Sequence, residues 1–431
     1  MAYALGLFDT GARVGVCVDF GGWFLPGPGS GQAAFYAGGH ERMRKINFLP
    51  QRLRDSVKQN KNLFRFSLFC LCVSVVILVC LPLTVFADEA YTIAKPNYKW
   101  NFPLDHGSHP NYKTEWWYYV GHLKDTQGKR YGFELAFFRV GLDRKVDNAS
   151  AFTPRDLYFS HFAVTDITAK KFWYAEKMNR TGPGLAGASQ GRMNLWNENW
   201  QIWRDGPGHH LKADSDLYGL DLIVQSPIPA VLEGIKGYSL KGSNKDNASL
   251  YYSFPWFIAD GRLRVGNELK TVHGKAWMDH EFFTGDMDPN ELGWNWFGLQ
   301  LSDDTELMIY LMRQKDGTFH PASSGTVINK SGKSIHIRAA DIRTKVLETW
   351  KSPHSGAIYP IHWQIIIPSQ RLNLDVKASI NEQELDTAKS TQVVYWEGSV
   401  DINGTKAGKD IKGDGYMELT GYDKAFNLPK N

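Results

Sequence analysis

The chain is poor in cysteine: it has four in 431 residues, and Cys17, Cys70, Cys72 and Cys80 all precede residue 88. The rest of the chain therefore has no disulfide framework, no thiolate zinc site and no cysteine nucleophile. An excess charge of one sign is missing as well. The first 87 residues carry nine of the 49 Lys and Arg but four of the 45 Asp and Glu, which leaves 40 against 41 downstream. A body so near neutrality offers no electrostatic footprint for a phosphate backbone, so nucleic acid is excluded as the main partner. Nor does the body contain a sustained helical stripe of apolar residues, which excludes a helix bundle. Nucleotide-type glycine loops are absent too. Gly27-Pro-Gly29-Ser-Gly31 lacks a flanking strand and helix, and Gly187-Ala-Ser189-Gln-Gly191 lacks the strand-to-helix turn that a serine nucleophile needs. No cofactor is expected.

One long apolar run is present, Phe66 to Phe86, an uncharged stretch of 21 residues preceded by Arg44, Lys45, Arg52, Arg54, Lys58, Lys61 and Arg65. It reads as an export leader over 43–87, with Val85 and Ala87 at the −3 and −1 positions of a cleavage site before Asp88. The run is also long enough to remain as an uncleaved anchor. Both readings put the body outside the cytoplasm, periplasmic or secreted. Residues 1–42 carry ten glycines and no periodic pattern, as an over-extended start or a disordered tail would.

Downstream of the leader, short alternating runs are broken by Gly, Asn, Asp and Pro, as in Tyr131-Gly-Phe133-Glu-Leu135-Ala-Phe137 after the turn at Asp125 to Lys129. This predicts an all-β body. Fourteen of the fifteen tryptophans lie there, some at alternate positions, as suits strands facing a roomy apolar interior. Trp117-Tyr-Tyr119 followed by Phe137-Phe-Arg139 is echoed by Trp294-Asn-Trp296 followed by Leu311-Met-Arg313. The repeat predicts two β-barrels in tandem, over 98–270 and 271–425, each wide enough for a small apolar ligand.

Three clusters carry candidate chemistry. Asp105-His106-Gly-Ser-His109-Pro with Glu115 contains two imidazoles and a carboxylate, but on irregular backbone, so no metal is expected to be required there or at His280. In His273-Gly-Lys275-Ala-Trp277-Met-Asp279-His280-Glu281, strand parity puts Trp277, Asp279 and Glu281 on one face. If that face lines a cavity, low dielectric raises the Asp279 pKa and makes it a general acid; otherwise Asp279 or Glu281 pairs with a basic residue. In Tyr395-Trp-Glu397-Gly398 and Glu418-Leu-Thr-Gly-Tyr422, Glu397 and Glu418 are either pocket carboxylates or partners of buried arginines.

Together with Lys113-Thr-Glu-Trp-Trp-Tyr118 and Ser160-His161-Phe, these segments resemble the AttH and carotenoid 1,2-hydratase family, also called hydroxyneurosporene synthase-like, over residues 98 to 425. The resemblance implies two lipocalin-like barrels and gives Asp279 the role of acid and base, with Trp277 the aromatic beside it. Glu281 stands where the hydratases favour Asn, and the leader departs from them as well. The function implied is a protein enclosing an apolar, isoprenoid or lipid-like ligand, acting as an acid-catalysed hydratase or as a hydrolase. The alternative is a non-catalytic lipid carrier or accessory subunit beside the permease of an ABC-type exporter. Catalytic roles fall on Asp279, Trp277 and Glu281. Ligand contacts are expected from Glu115, Trp117, Tyr119, His161, Trp294, Trp296 and Glu397.

Overall fold

The computed structural model describes residues 91–142 and 153–426; the leader and the tail expected before them lie outside the described residues. Among the described residues no helix is long and apolar enough to cross a membrane. The helices among them are single 3-10 turns at Leu104–His106, Ala339–Asp341 and Pro368–Gln370. Everything else of regular structure is antiparallel strand.

The first sheet comprises β1 (Thr114–Asp125), β2 (Arg130–Gly141), β3 (Asp156–Asp166), β4 (Lys171–Arg180), β5 (Ala186–Ala188), β6 (Asn194–Asn197), β7 (Trp200–Asp205), β8 (Gly208–Asp214), β9 (Tyr218–Gln225), β10 (Val231–Leu232), β11 (Tyr238–Leu240), β12 (Ala248–Val265) and β13 (Glu268–Phe283). The second comprises β14 (Glu291–Leu301), β15 (Glu306–Gln314), β16 (Ser324–Ile328), β17 (Ser334–Arg338), β18 (Arg343–Lys351), β19 (Ile358–Ile367), β20 (Leu372–Ala378), β21 (Glu384–Asp386), β22 (Val394–Lys406) and β23 (Lys409–Thr420). Both curl into barrel-like forms with one topology: the first strand forms a hairpin with the second and pairs on its other side with the last, β1 with β13 and β14 with β23. The Trp117 and Trp294 repeat thus marks equivalent hairpins. The turn expected after β1 forms because the Asp125 carboxylate accepts the N–H groups of Gln127 and Lys129, both at 2.9 Å, while Gly128 takes a φ of 77°.

The boundary expected at 270/271 is corrected by this topology. Gly266 turns the chain back into a hairpin, so β13 pairs with β12 and β1 and belongs to the first sheet. Passage to the second sheet occurs between Phe283 and Glu291. A glycine-centred turn within a hairpin and one between domains look alike in sequence.

The expected roomy barrel interiors are corrected too. Trp117, Tyr119, Phe133, Phe137, Phe162 and Trp200 fill the first, while Phe297, Tyr359, Trp363 and Trp396 with many Ile and Leu fill the second. Each large ring so buried contributes on the order of 2 kcal/mol. A third apolar cluster draws on both sheets, with Tyr118, Tyr251 and Trp277 from one and Trp296, Met308 and Tyr416 from the other. The sheets pack outer face against outer face, and the open space lies along that seam.

Candidate active site at the seam

Strand β1 reads Thr-Glu-Trp-Trp-Tyr-Tyr-Val and is buried on both faces, one against its own barrel and one against the second sheet. Thr114, Trp116 and Tyr118 face the seam. Beside them Phe138 and Glu134 on β2, His161 on β3, Tyr251 on β12, and Asp279 and Glu281 on β13 complete one wall of a cavity of about 1050 Å³ including its mouth. The opposite wall is Trp294 and Trp296 on β14, Tyr310 on β15, Tyr395 and Glu397 on β22, and Glu418 on β23. Register aligns the chemistry. Asp279 lies opposite Tyr118, Glu281 opposite Trp116, and Glu418 is flanked by Trp296 and Glu397.

Asp279 is held by three donors: Ser253 Oγ at 2.6 Å and Trp277 Nε1 at 2.7 Å on Oδ1, and Tyr251 Oη at 2.5 Å on Oδ2. Burial pushes its carboxyl up, those three hydrogen bonds pull it back, and the balance is about 7. Burial likewise raises Glu418 to about 7 and Glu134 to about 8, and drives Glu397 well above the ordinary carboxylate range. Hydrogen bonds cross the seam from Tyr118 Oη to Glu397 Oε1 at 2.5 Å, from Tyr395 Oη to Glu134 Oε1 at 3.1 Å, and from Trp296 Nε1 to Tyr251 Oη at 3.2 Å. His161, pushed down to about 3 by burial, bridges Tyr395 Oη and Ser390 Oγ. Glu281 differs in having a cation: Lys241 Nζ lies 2.8 Å from it and 3.8 Å from the Tyr310 ring centroid. The site is an aromatic box with several protonatable carboxyls and one ion pair, fitted to give and take protons next to an apolar molecule.

Of the expected site residues, Asp279, Glu281, His161, Trp294, Trp296 and Glu397 meet at this cavity. Trp277 does not line it; its indole lies beneath Asp279 and orients the carboxyl. Glu115, Trp117 and Tyr119 point the other way and are corrected. Trp117 stacks on His280 at 4.7 Å and Tyr119 Oη bonds His209 Nδ1 at 2.8 Å, both inside the first barrel. The physical reason is that both faces of β1 are aromatic, so alternation there carries no sign. For the same cause alternation gives no signal for Trp116 and Tyr118, nor for Tyr251 on β12, whose neighbour Tyr252 is equally aromatic. Glu134 had a signal, a lone acid in the middle of an apolar strand.

Glu115 instead centres a buried polar network. It accepts from His109 Nδ1 at 2.8 Å, His280 Nε2 at 2.9 Å, Ser108 Oγ at 3.0 Å and Arg139 Nε at 3.2 Å. Burial alone would raise its carboxyl, but these bonds and the His109 and Arg139 charges hold it well below the ordinary range. The donor atoms of His109, Glu115 and His280 lie within 4.8 Å of one another. A dication there would sit beside a guanidinium that already neutralises Glu115. Asp288, Glu291 and His320 form a second such group, but His320 Nδ1 accepts the Ala322 N–H, which leaves the proton on the nitrogen facing Asp288.

Residues 93–422 match the family described as AttH-like. The fold matches the crystal structure of a Nitrosomonas europaea protein described as an AttH at 31% identity and a TM-score of 0.70, covering 77% of this chain and 99% of that one. It also matches kievitone hydratase from Nectria haematococca at 16% identity and a TM-score of 0.58, covering 78% of this chain and 97% of that one. No curated protein matches the sequence significantly.

Proposed function

Because the chain belongs to the AttH-like family, we propose that it is a hydratase adding water across an isolated alkene of an apolar ligand held at the seam. The observation that carries this reading is that Asp279 and a second carboxyl, Glu418, face one aromatic-lined cavity from opposite sheets, both near 7. A carrier needs only the apolar lining. That kievitone hydratase shares the fold lends the reading support.

In the proposed reaction, protonated Asp279 gives its proton to one alkene carbon; a C–H bond forms and the π bond is lost. The carbocation is stabilised by the faces of Trp116, Tyr118 and Trp296. Water attacks the cationic carbon and passes its surplus proton to the Glu418 carboxylate. That proton returns to Asp279 through water, so the sum is alkene plus water giving an alcohol. Trp277, Ser253 and Tyr251 position the acid. Activity should peak near pH 7, falling at higher pH as Asp279 ionises and at lower pH as Glu418 protonates.

The test begins with native mass spectrometry and lipid extraction of the purified protein to name the retained ligand, followed by turnover in isotope-labelled water. Asp279→Asn should lower turnover about a hundredfold or more while the ligand is retained. Unchanged turnover in a folded variant would sink the acid role, and retention with no turnover in the wild type would favour a carrier, as an exporter accessory subunit would be. We extend the proposal to compartment: the leader sends the body out of the cytoplasm, with a new N-terminus at Asp88 readable by N-terminal sequencing.

A further inference from the structure

Glu134 and Glu397 are used by no step above, yet both are about 1% exposed and line the cavity from opposite sheets. Each is half satisfied in the same way. A tyrosine from the facing sheet holds one oxygen, Tyr395 on Glu134 Oε1 and Tyr118 on Glu397 Oε1, while Oε2 of each is buried with no hydrogen-bond partner. Buried polar atoms are almost always paired, so two orphaned oxygens on facing walls of one cavity call for a third party. No side chain of the surrounding wall, Trp116, Phe138 and Trp296 included, reaches either oxygen with a hydrogen bond.

We infer that the ligand is not a pure hydrocarbon but carries a neutral oxygen function, a hydroxyl or carbonyl, which Glu134 and Glu397 receive through their free Oε2 atoms. This rests on the alkene-hydration reading of the same cavity. A carboxylic acid can both donate and accept, which matches a hydroxyl or a carbonyl oxygen. An ammonium group would also suit a set of acids in an aromatic box. It conflicts with hydration, because a fixed cation here would keep Asp279 ionised and oppose the carbocation. An oxygen function satisfies the two orphans and leaves the field at Asp279 unchanged.

The test uses calorimetric titration of the intact protein with three probes of one carbon skeleton: citronellol, its deoxygenated hydrocarbon and the corresponding primary amine. Citronellol should bind at least about tenfold more tightly than the hydrocarbon, since a site built to bond an oxygen rejects the analogue lacking it. Glu134→Leu should remove that preference, and Glu134→Gln, whose amide also donates and accepts, should keep most of it. Equal affinity for alcohol and hydrocarbon in the wild type, tighter binding of the amine, or no binding of any probe overturns the inference, whatever the fate of the Leu variant. An unchanged preference in folded Glu134→Leu does so too. Asp279→Asn separates the two readings: the oxygen preference should persist there, so its absence in the wild type sinks this inference alone, while undiminished turnover in that variant sinks the hydratase reading alone.

Discussion

Asp279, Glu134 and Glu418 owe their raised pKa values to one cause, removal from water without a cation to replace it. That ties folding to pH with a definite sign. Well below pH 4 each is protonated folded and unfolded alike. Between the unfolded pKa and about 7 or 8 the unfolded chain loses these protons while the folded chain keeps them, so stability falls as pH rises, by roughly 1.4 kcal/mol per unit for each group. Denaturant titrations at pH 5 and pH 8 should show this decline, and Glu418→Gln, which cannot ionise, should lessen it by one group's share; an equal slope in the variant would mean that Glu418 is not buried as an acid. The Glu115 network has the opposite logic. Its carboxyl is depressed, so its contribution is present above the unfolded pKa and lost as pH falls through the acid range. Arg139, fully buried between Glu115 and Asp156, compensates that charge. Arg139→Met should cost about 3–5 kcal/mol in chemical denaturation, because it strands a buried carboxylate. A loss under about 1 kcal/mol, as for a surface pair, would contradict the account.

Strands β1 and β13 place Trp116, Tyr118, Asp279 and Glu281 in the cavity wall, and their pairing leaves no room for a side chain at Gly274, where a Cβ would meet the His122 carbonyl oxygen at 1.9 Å. Gly274→Ala should therefore cost about 3 kcal/mol and weaken ligand binding through Asp279, which lies farther along the same strand. Ordinary stability and unchanged binding, by denaturation and titration, would show that the pair can spread. The two strands also explain what the sequence made legible. On β13 the exposed His273 and half-buried Lys275 against the buried Ala276 and Met278 give parity a sign, and the placement of Asp279 and Glu281 follows from it. On β1 no such contrast exists, because both of its faces are buried and aromatic, so alternation does not tell that Trp116 and Tyr118, and not Trp117 and Tyr119, meet the open space. The all-β class and the tandem barrels follow from alternation and the repeat. The seam itself does not, since which outer faces meet is a tertiary fact with no periodicity of its own.

At the scale of the whole body, the cavity exists only because two sheets meet, so the forces across the seam decide whether there is a site at all. Gln300 Nε2 donates to the Pro255 carbonyl at 2.8 Å and the Ala276 carbonyl at 3.2 Å, His122 Nε2 bonds the Gly415 carbonyl at 2.8 Å, and Thr165 Oγ1 donates to Gln383 Oε1 at 2.8 Å. Added to the shared cluster of Tyr118, Trp277, Trp296 and Tyr416, these make the seam a buried core, not a loose domain contact. Neither sheet could open without exposing aromatic rings and stranding carboxyls of the other. The body should therefore unfold in one calorimetric transition, with equal calorimetric and van't Hoff enthalpies, despite containing two barrels. A ligand that touches both walls binds only when both sheets are folded. Citronellol at about a hundred times its Kd should then stabilise the whole transition by about 2.7 kcal/mol. Two resolved transitions, with the ligand shifting one of them, would mean that the binding space belongs to a single sheet, and the proposal that Asp279 on β13 and Glu418 on β23 share one reaction would fall.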